Sequence, residues 1–436
     1  MNKQYPFTRF VLPNGLTVLH YKMDSVLSAY AVLYIKVGAV YEKPSERGVS
    51  HFLEHQSFLG TNKYPTPLKL AQISQNLGLI KDGRTSGTNV FYSIKLPNLN
   101  FKTGLDILYE LVFEQLFDNK SLLSERSVIM SEFNDFWHNP ERRFFHEIYR
   151  KRFKQKEHPY SYRPLGIPPT IESISKEKVT SWKNKYYHPK NMVLSVAGNI
   201  EVEVLKKYLG KTFGKEAPGK NIEEPKFSTK DYSGFLIYNQ GDPRPQITFY
   251  FSFPAFGHVE RSRQQRITFI LLNHIFGRSS ASRLFQRLRE KERYVYKISS
   301  DVSLMLCMGD LYISGSTPLE KLIPTVRSFK EEVDFLVRKG VTEKEIVAAR
   351  KFISAQTLMQ FDNPASIAEY FVNQELNEKD IWFPENYVQE SAKISKSDLD
   401  KLTKEIFDYS KLNIGLLGNV PETTVKEIER LFHNKR

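Results

Sequence analysis

Residues 51–55 read His51-Phe52-Leu53-Glu54-His55, and this stretch decides how the rest of the chain is read. Two imidazoles four residues apart lie one turn from each other on the same face of a helix. Nitrogen ligands at that spacing grip one zinc ion, and Glu54 falls beside it, where a carboxylate can take a proton from a water activated there. The order H-x-x-E-H is the inverse of the commoner H-E-x-x-H zinc motif. Ser50 is a candidate N-cap for this helix, and Gly60, after Phe58-Leu59, a candidate stop. Phe52, Leu53 and Phe58 supply an apolar side that fixes it to a core.

A third ligand is expected from a second helix, because two elements crossing at the ion give a rigid site. Leu122 to Glu132 (LLSERSVIMSE) has that pattern: Leu122, Val128 and Ile129 are apolar at helical spacing, and Ser121 or Ser124 can cap the start. Glu125 and Glu132, seven residues apart, project from the same side two turns apart. One can ligate while the other orients a ligating histidine. Spacing alone leaves Glu125, Glu132, Asp135 and His138 open as the ligand.

These residues, taken together, resemble the pitrilysin/insulinase family of zinc metallopeptidases, in particular the branch of mitochondrial processing peptidase and its short bacterial relatives. The run Glu125-Arg126-Ser127-Val128-Ile129-Met130-Ser131-Glu132 fits the family's second motif, with 76 residues between His55 and Glu132. Leu12-Pro13-Asn14-Gly15-Leu16, Val37-Gly38-Ala39-Val40-Tyr41-Glu42 and Phe58-Leu59-Gly60-Thr61 match as well, so the resemblance spans essentially the whole chain. It implies one Zn2+ per chain, Glu132 as third ligand, Glu125 as the companion that orients a histidine, and Glu54 as the catalytic base. It also implies that Arg289 and Tyr296, seven apart, hold the substrate peptide and its developing oxyanion. The peptide is expected to add a strand to a sheet edge near Asp82-Gly83-Arg84-Thr85. There the family's usual Asn-Ala-x-Thr is kept only at Thr85, and Asp for Asn exchanges an amide donor for a charged acceptor. Two chains closing as a clamshell are implied. Because this chain carries both halves of the site, a homodimer is favoured over a heterodimer with a related subunit. The other reading is a non-catalytic peptide-binding or scaffold subunit, against which stands the retention of both the metal motif and the Arg/Tyr pair.

At 436 residues the chain is too long for one compact core. The segments around Gly198-Asn199 and Gly418-Asn419, 220 residues apart, each join an apolar strand to a charged amphipathic segment. That offset is half the chain and points to an internal duplication. The expectation is an α+β fold of two homologous domains, each a largely antiparallel sheet with helices packed on one face. Residues 1–215 form the zinc-binding domain, 216–233 (rich in Pro, Gly, Lys and Glu) the linker, and 234–436 a domain without a metal site that supplies Arg289 and Tyr296. Predicted strands are 8–12, 16–21, 27–37 and 90–95 in the first half, and 235–238, 246–253, 296–304 and 311–314 in the second. Predicted helices are 67–77, 104–117, 121–137 and 174–187, then 261–276, 281–291, 319–338 and 343–356. Pro13-Asn14-Gly15 marks a hairpin.

Composition excludes several classes. Hydrophobic residues make up 40% of the chain, and no run of about eighteen apolar residues exists, so no membrane span is expected. Cys307 is the single cysteine, which rules out an intrachain disulfide. With no secretory or transit pattern at the start, a cytoplasmic bacterial protein is the simplest expectation, and a processed mitochondrial matrix protein the other. The net charge of +14 comes from basic residues interleaved with acidic ones. The densest clump, Arg150-Lys151-Arg152 with Lys154 and Lys156, reads as solvated surface. No nucleic-acid module is recognised. The charge favours acidic or neutral peptides over strongly basic ones.

Overall fold

The computed structural model describes residues 5–155, 158–223, 225–227, 231–378 and 380–433. The first four residues, Lys156 of the basic clump, and Glu224 and residues 228–230 of the 216–233 stretch therefore lie outside the described residues. The chain forms two compact units, neither continuous in sequence. One comprises Met1–Phe136, Tyr162–Pro225 and Met359–Ile381; the other Trp137–Ser161, Lys226–Leu358 and Trp382–Arg436.

In the first unit, β1 (Phe7–Val11), β2 (Thr17–Lys22), β3 (Ser28–Ile35), β4 (Ile80–Thr85), β5 (Val90–Pro97) and β6 (Met192–Gly198) make one sheet in the order β1-β2-β6-β3-β5-β4. All neighbours are antiparallel except β2 and β6. The Pro13-Asn14-Gly15 turn closes the predicted hairpin, with Leu12 N–H donating to Leu16 O at 2.9 Å. Alternation along β3 sends Ala29, Ala31, Leu33 and Ile35 into the main core. The helices on that face are α1 (Val49–Gln56), α2 (Pro67–Leu77), α3 (Phe101–Phe113) and α4 (Asn119–His138), with Lys176–Tyr186 further on.

The other face of the same sheet is covered from far away in sequence. The Pro364–Asn377 helix lies across β2, β6 and β3. Phe371 stacks on Phe7 at 4.3 Å and on Tyr21 at 5.6 Å, Tyr30 Oη donates to Glu369 at 3.0 Å, and Arg9 pairs bidentately with Glu375 at 2.8 and 2.9 Å.

The second unit repeats the design. Its strands β7 (Leu236–Gln240), β8 (Ile247–Ala255), β9 (Lys297–Leu304), β10 (Gly309–Thr317) and β11 (Asn413–Leu417) pair as β7-β11-β8-β10-β9, again with one parallel pair, β7 and β11. The order matches β2-β6-β3-β5-β4, so Gly198 at the end of β6 and Gly418 just after β11 are equivalent points. Phe249, Phe251 and Phe253 face the core under the Leu319–Lys339 helix, where Phe251 stacks on Phe329 at 4.4 Å. The opposite face takes α5 (Pro140–Lys151), whose Phe144 and Ile148 pack with Tyr250 and Leu417.

Several local expectations need correction. Arg152, counted in the solvated clump, is 2% exposed. It follows α5 directly and turns inward across the sheet, pairing with Asp310 of β10 at 2.8 Å and lying 3.6 Å over the Tyr149 ring. Neither Ser121 nor Ser124 caps α4: Asp118 accepts from the N–H groups of Lys120 and Ser121, and the helix starts at Asn119. Val128 is exposed, and the buried stripe of the 122–132 segment consists of Leu122, Glu125 and Ile129. The predicted 281–291 helix is a π-helical segment, Phe285–Lys291. Helix Arg263–Asn273 also runs on into a π-helical segment through Arg278, past the predicted end at 276. No described helix is long and apolar enough to cross a membrane.

Candidate metal centre

The helix bearing the H-x-x-E-H stretch is short, eight residues, and its start is built unusually. Ser50 does not cap it. Gly48 holds the N-cap position at φ 90°, a left-handed conformation that a side chain would strain. The buried Glu42 carboxylate takes the role of cap, accepting from Gly48 N–H at 2.8 Å and Ser50 N–H at 2.9 Å. Those donors have no partner within a helix's first turn, and an acceptor there suits the helix dipole. Burial raises the Glu42 pKa to about 7, against the pull of these two donors. Phe52 and Leu53 anchor the helix in the core, both fully buried.

Across from it, α4 brings Glu132 and Glu125, two turns apart, to the histidines. His51 Nε2 and His55 Nε2 are 3.1 Å apart, and Glu132 Oε2 lies 3.7 Å from each. Of the four candidates for third ligand, Glu132 alone belongs to this cluster among the described residues. Glu125 takes the other role, with its Oε1 2.6 Å from His55 Nδ1. Asp135 and His138, three and six residues past Glu132, are exposed.

The donor set fits a zinc ion. Four ligands at tetrahedral angles around Zn2+, each at 2.0–2.1 Å, stand about 3.4 Å apart, and the three distances here bracket that value. The carboxylate of Glu125 holds the proton of His55 on Nδ1, which leaves Nε2 with a bare lone pair facing the other two donors. Three converging acceptors repel one another unless a cation lies between them. The electrostatics of the two imidazoles differ. Burial, helped by the charge of His55, lowers the His51 pKa to about 3, so this ring is a neutral donor. Burial also works against a charged His55, but the hydrogen bond to Glu125 and the carboxylates Glu54 and Glu132 outweigh it and raise its pKa. Replacing Glu125 by Gln removes that orienting charge and is expected to weaken zinc affinity by roughly 10–100-fold. Competition with a chromophoric chelator measures this, and a change under twofold would show that Glu125 does not tune the site.

Glu54 is buried on the strand side of α1. Burial raises its pKa to about 7, offset in part by His55 and by Thr85. Thr85 Oγ1 donates to Glu54 Oε2 at 3.4 Å. One residue pair back on β4, a Cβ at Gly83 would lie 2.7 Å from Glu54 Oε1 and 2.7 Å from the Phe58 ring. The glycine in this sequence's Asp82-Gly83 is thus the residue that lets the strand pass so close. Asp82 is exposed. β4 is the edge of its sheet, and it borders a pocket of about 450 Å³ lined by Glu54, His55, Phe58, Leu70, Lys81 and Gly83 among others.

Arg289 and Tyr296 belong to the second unit. Arg289 lies in the π-helical segment, with its guanidinium 6.0 Å from the Tyr296 ring. Tyr296, just before β9, is 74% exposed. Sequence reasoning missed Glu42 and Lys81 as parts of the site's surroundings. Glu42 carried a signal, an acidic residue a few positions before a helix start that includes a glycine, Gly48. Lys81 carried none.

Comparison with known proteins agrees with this architecture. Residues 18–163 match the family model described as insulinase, peptidase family M16, and residues 173–352 match the model described as the peptidase M16 inactive domain. An uncharacterised zinc protease of Rickettsia bellii is 29% identical over 405 residues, covering 92% of this chain and 94% of that protein. A second uncharacterised zinc protease, from Bacillus subtilis, is 26% identical over 418 residues, covering 95% and 99%. In fold, a protease from Helicobacter pylori superposes with a TM-score of 0.83 at 19% identity, covering 95% of this chain and all of that one. The chain belongs to the pitrilysin/insulinase family, M16, and consists of two M16-like α+β domains.

Proposed function

We propose that the chain is a zinc-dependent endopeptidase acting on unstructured peptides. The observation that carries this reading is the convergence of His51, His55 and Glu132 with Glu54 buried next to them. His51, His55 and Glu132 would hold the ion, one per chain, and Glu125 would keep His55 in the right tautomer. When bound, zinc polarises the scissile carbonyl and makes water a competent nucleophile at neutral pH. Glu54 takes the proton of the attacking water and then delivers it to the leaving amine. Burial raises the Glu54 pKa to about 7, and a value near neutral suits a group that must do both. Thr85 steadies the carboxylate by its hydrogen bond.

The peptide adds to the free edge of β4 as an extended strand. Backbone pairing of this kind reads little side-chain identity and demands an unfolded substrate. Arg289 and Tyr296 are exposed and adjacent, as donors to peptide carbonyls must be, and a second copy of the chain would bring them to the zinc site in a clamshell homodimer.

Stripping metal from the purified protein with a chelator is expected to stop cleavage of an unstructured peptide, and stoichiometric zinc to restore it. Full turnover by protein shown to be free of metal would defeat the reading.

A further inference from the structure

The pocket beside Glu54 and His55 has two kinds of wall. Phe58, Leu59, Pro67 and Leu70 give it an apolar side, and Lys81 and Asp82 enter from β4. Strand alternation places Lys81, Gly83 and Thr85 on one face of β4. That face meets Glu54, as the Thr85 hydrogen bond and the close approach at Gly83 demonstrate. Lys81 is half-buried, and among the described residues no hydrogen bond or ion pair engages its ammonium group. Burial lowers its pKa, and no neighbouring charge enters as a cause. The carboxylates around the pocket are otherwise placed. Glu125 holds His55, Glu54 accepts from Thr85, and Asp82, which also lines the pocket, is exposed to solvent at its rim and forms no ion pair with Lys81.

A cation drawn partly out of water without a counter-ion is an unfavourable arrangement that an anionic ligand relieves. From this geometry we infer that the pocket is a subsite for an acidic side chain of the peptide, next to the scissile bond, with Lys81 as its counter-ion. Phe58 and Leu70 pack on the methylenes of such a side chain while its carboxylate meets the ammonium. A Lys or Arg in the same place would set like charges together in a half-dry pocket. The net charge of +14 acts in the same direction at long range. The inference rests on the peptidase reading, and it names the substrate class of that site.

The test separates the two. A single Glu, Gln or Lys is walked through the central positions of an otherwise invariant unstructured peptide. Binding is measured to zinc-loaded Glu54→Gln protein, and cleavage to wild type. At one position flanking the bond, Glu is expected to bind about 10-fold more tightly than Gln, as a charge-assisted hydrogen bond would give. Adding Lys81→Met erases that difference, and Lys81→Glu reverses the order of the Glu and Lys peptides. Absence of a Glu preference at every position, or a preference that survives both Lys81 changes, overturns the subsite. A Lys81-dependent preference in binding with no cleavage by wild type leaves the subsite standing and overturns the peptidase reading.

Discussion

Glu54→Gln is expected to lower kcat/KM for peptide cleavage by roughly 10²–10⁴-fold, the usual contribution of a positioned general base, while zinc content stays at one ion per chain. At 1.36 kcal/mol per decade this is about 3–5 kcal/mol of transition-state stabilisation. The amide is close in shape to the carboxylate, so the pocket against Gly83 and Phe58 still accommodates it, and Thr85 Oγ1 can still donate to the amide oxygen. What is lost is the ability to take a proton. Metal analysis beside the kinetics makes the result specific, because neither His51, His55 nor Glu132 is touched. Glu132→Gln is the contrasting case, in which zinc occupancy should fall along with activity. A Glu54→Gln protein that retains activity within fivefold of wild type would remove Glu54 from the chemistry. So would one that loses its zinc, since the loss of activity would then have another cause.

Much of this site was legible from spacing because both halves of it sit on helices. A helix converts a sequence interval of four or seven into a fixed direction, so His51 with His55, and Glu125 with Glu132, follow from counting. Choosing Glu132 over Glu125 did not follow from counting; it came from family resemblance, and the geometry gives each a separate partner atom on the histidines. The strands were legible where they are apolar runs buried almost throughout, as in β3 and β8. β4 was not found by pattern. It is an edge strand of Ile, Lys, Asp, Gly, Arg and Thr, with little apolar alternation, and its pairing with β5 determines it instead. The helices that cover the second face of each sheet were also hidden. The stripe of Ile367, Ala368, Phe371 and Val372 says that one face of that helix is buried, but nothing in it says that β1, β2 and β3, more than 300 residues earlier, are what it covers. Arg152 failed for a related reason. In sequence it sits in a basic clump, and only the fold of α5 across β10 and β11 reveals that its partner is Asp310.

That pair sets the second large expectation, which concerns stability. Asp310→Ala is expected to destabilise the second unit by about 3–5 kcal/mol, because it leaves a buried guanidinium without its counter-charge. Asp310 Oδ2 accepts from Arg152 Nη1 at 2.8 Å, Ser252 Oγ at 3.1 Å and Tyr250 Oη at 3.4 Å, so one truncation breaks three interactions. Burial works against the Arg152 charge, and Asp310 is what outweighs it. A paired replacement behaves differently. Arg152→Met with Asp310→Leu removes both charges and keeps apolar volume against Tyr149 and Tyr250, and it should recover most of the loss. Urea unfolding followed by tyrosine and tryptophan fluorescence compares these two variants with wild type. The pair couples α5 to β10, and β10 in turn pairs along its length with β9, the strand that Tyr296 leads into. Asp310→Ala should therefore reduce activity through the folded fraction, steeply as temperature rises, with KM for the residual folded enzyme unchanged. If Asp310→Ala unfolds at the wild-type urea concentration, Arg152 has another counter-charge in solution, and the account of how the second unit holds α5 is wrong.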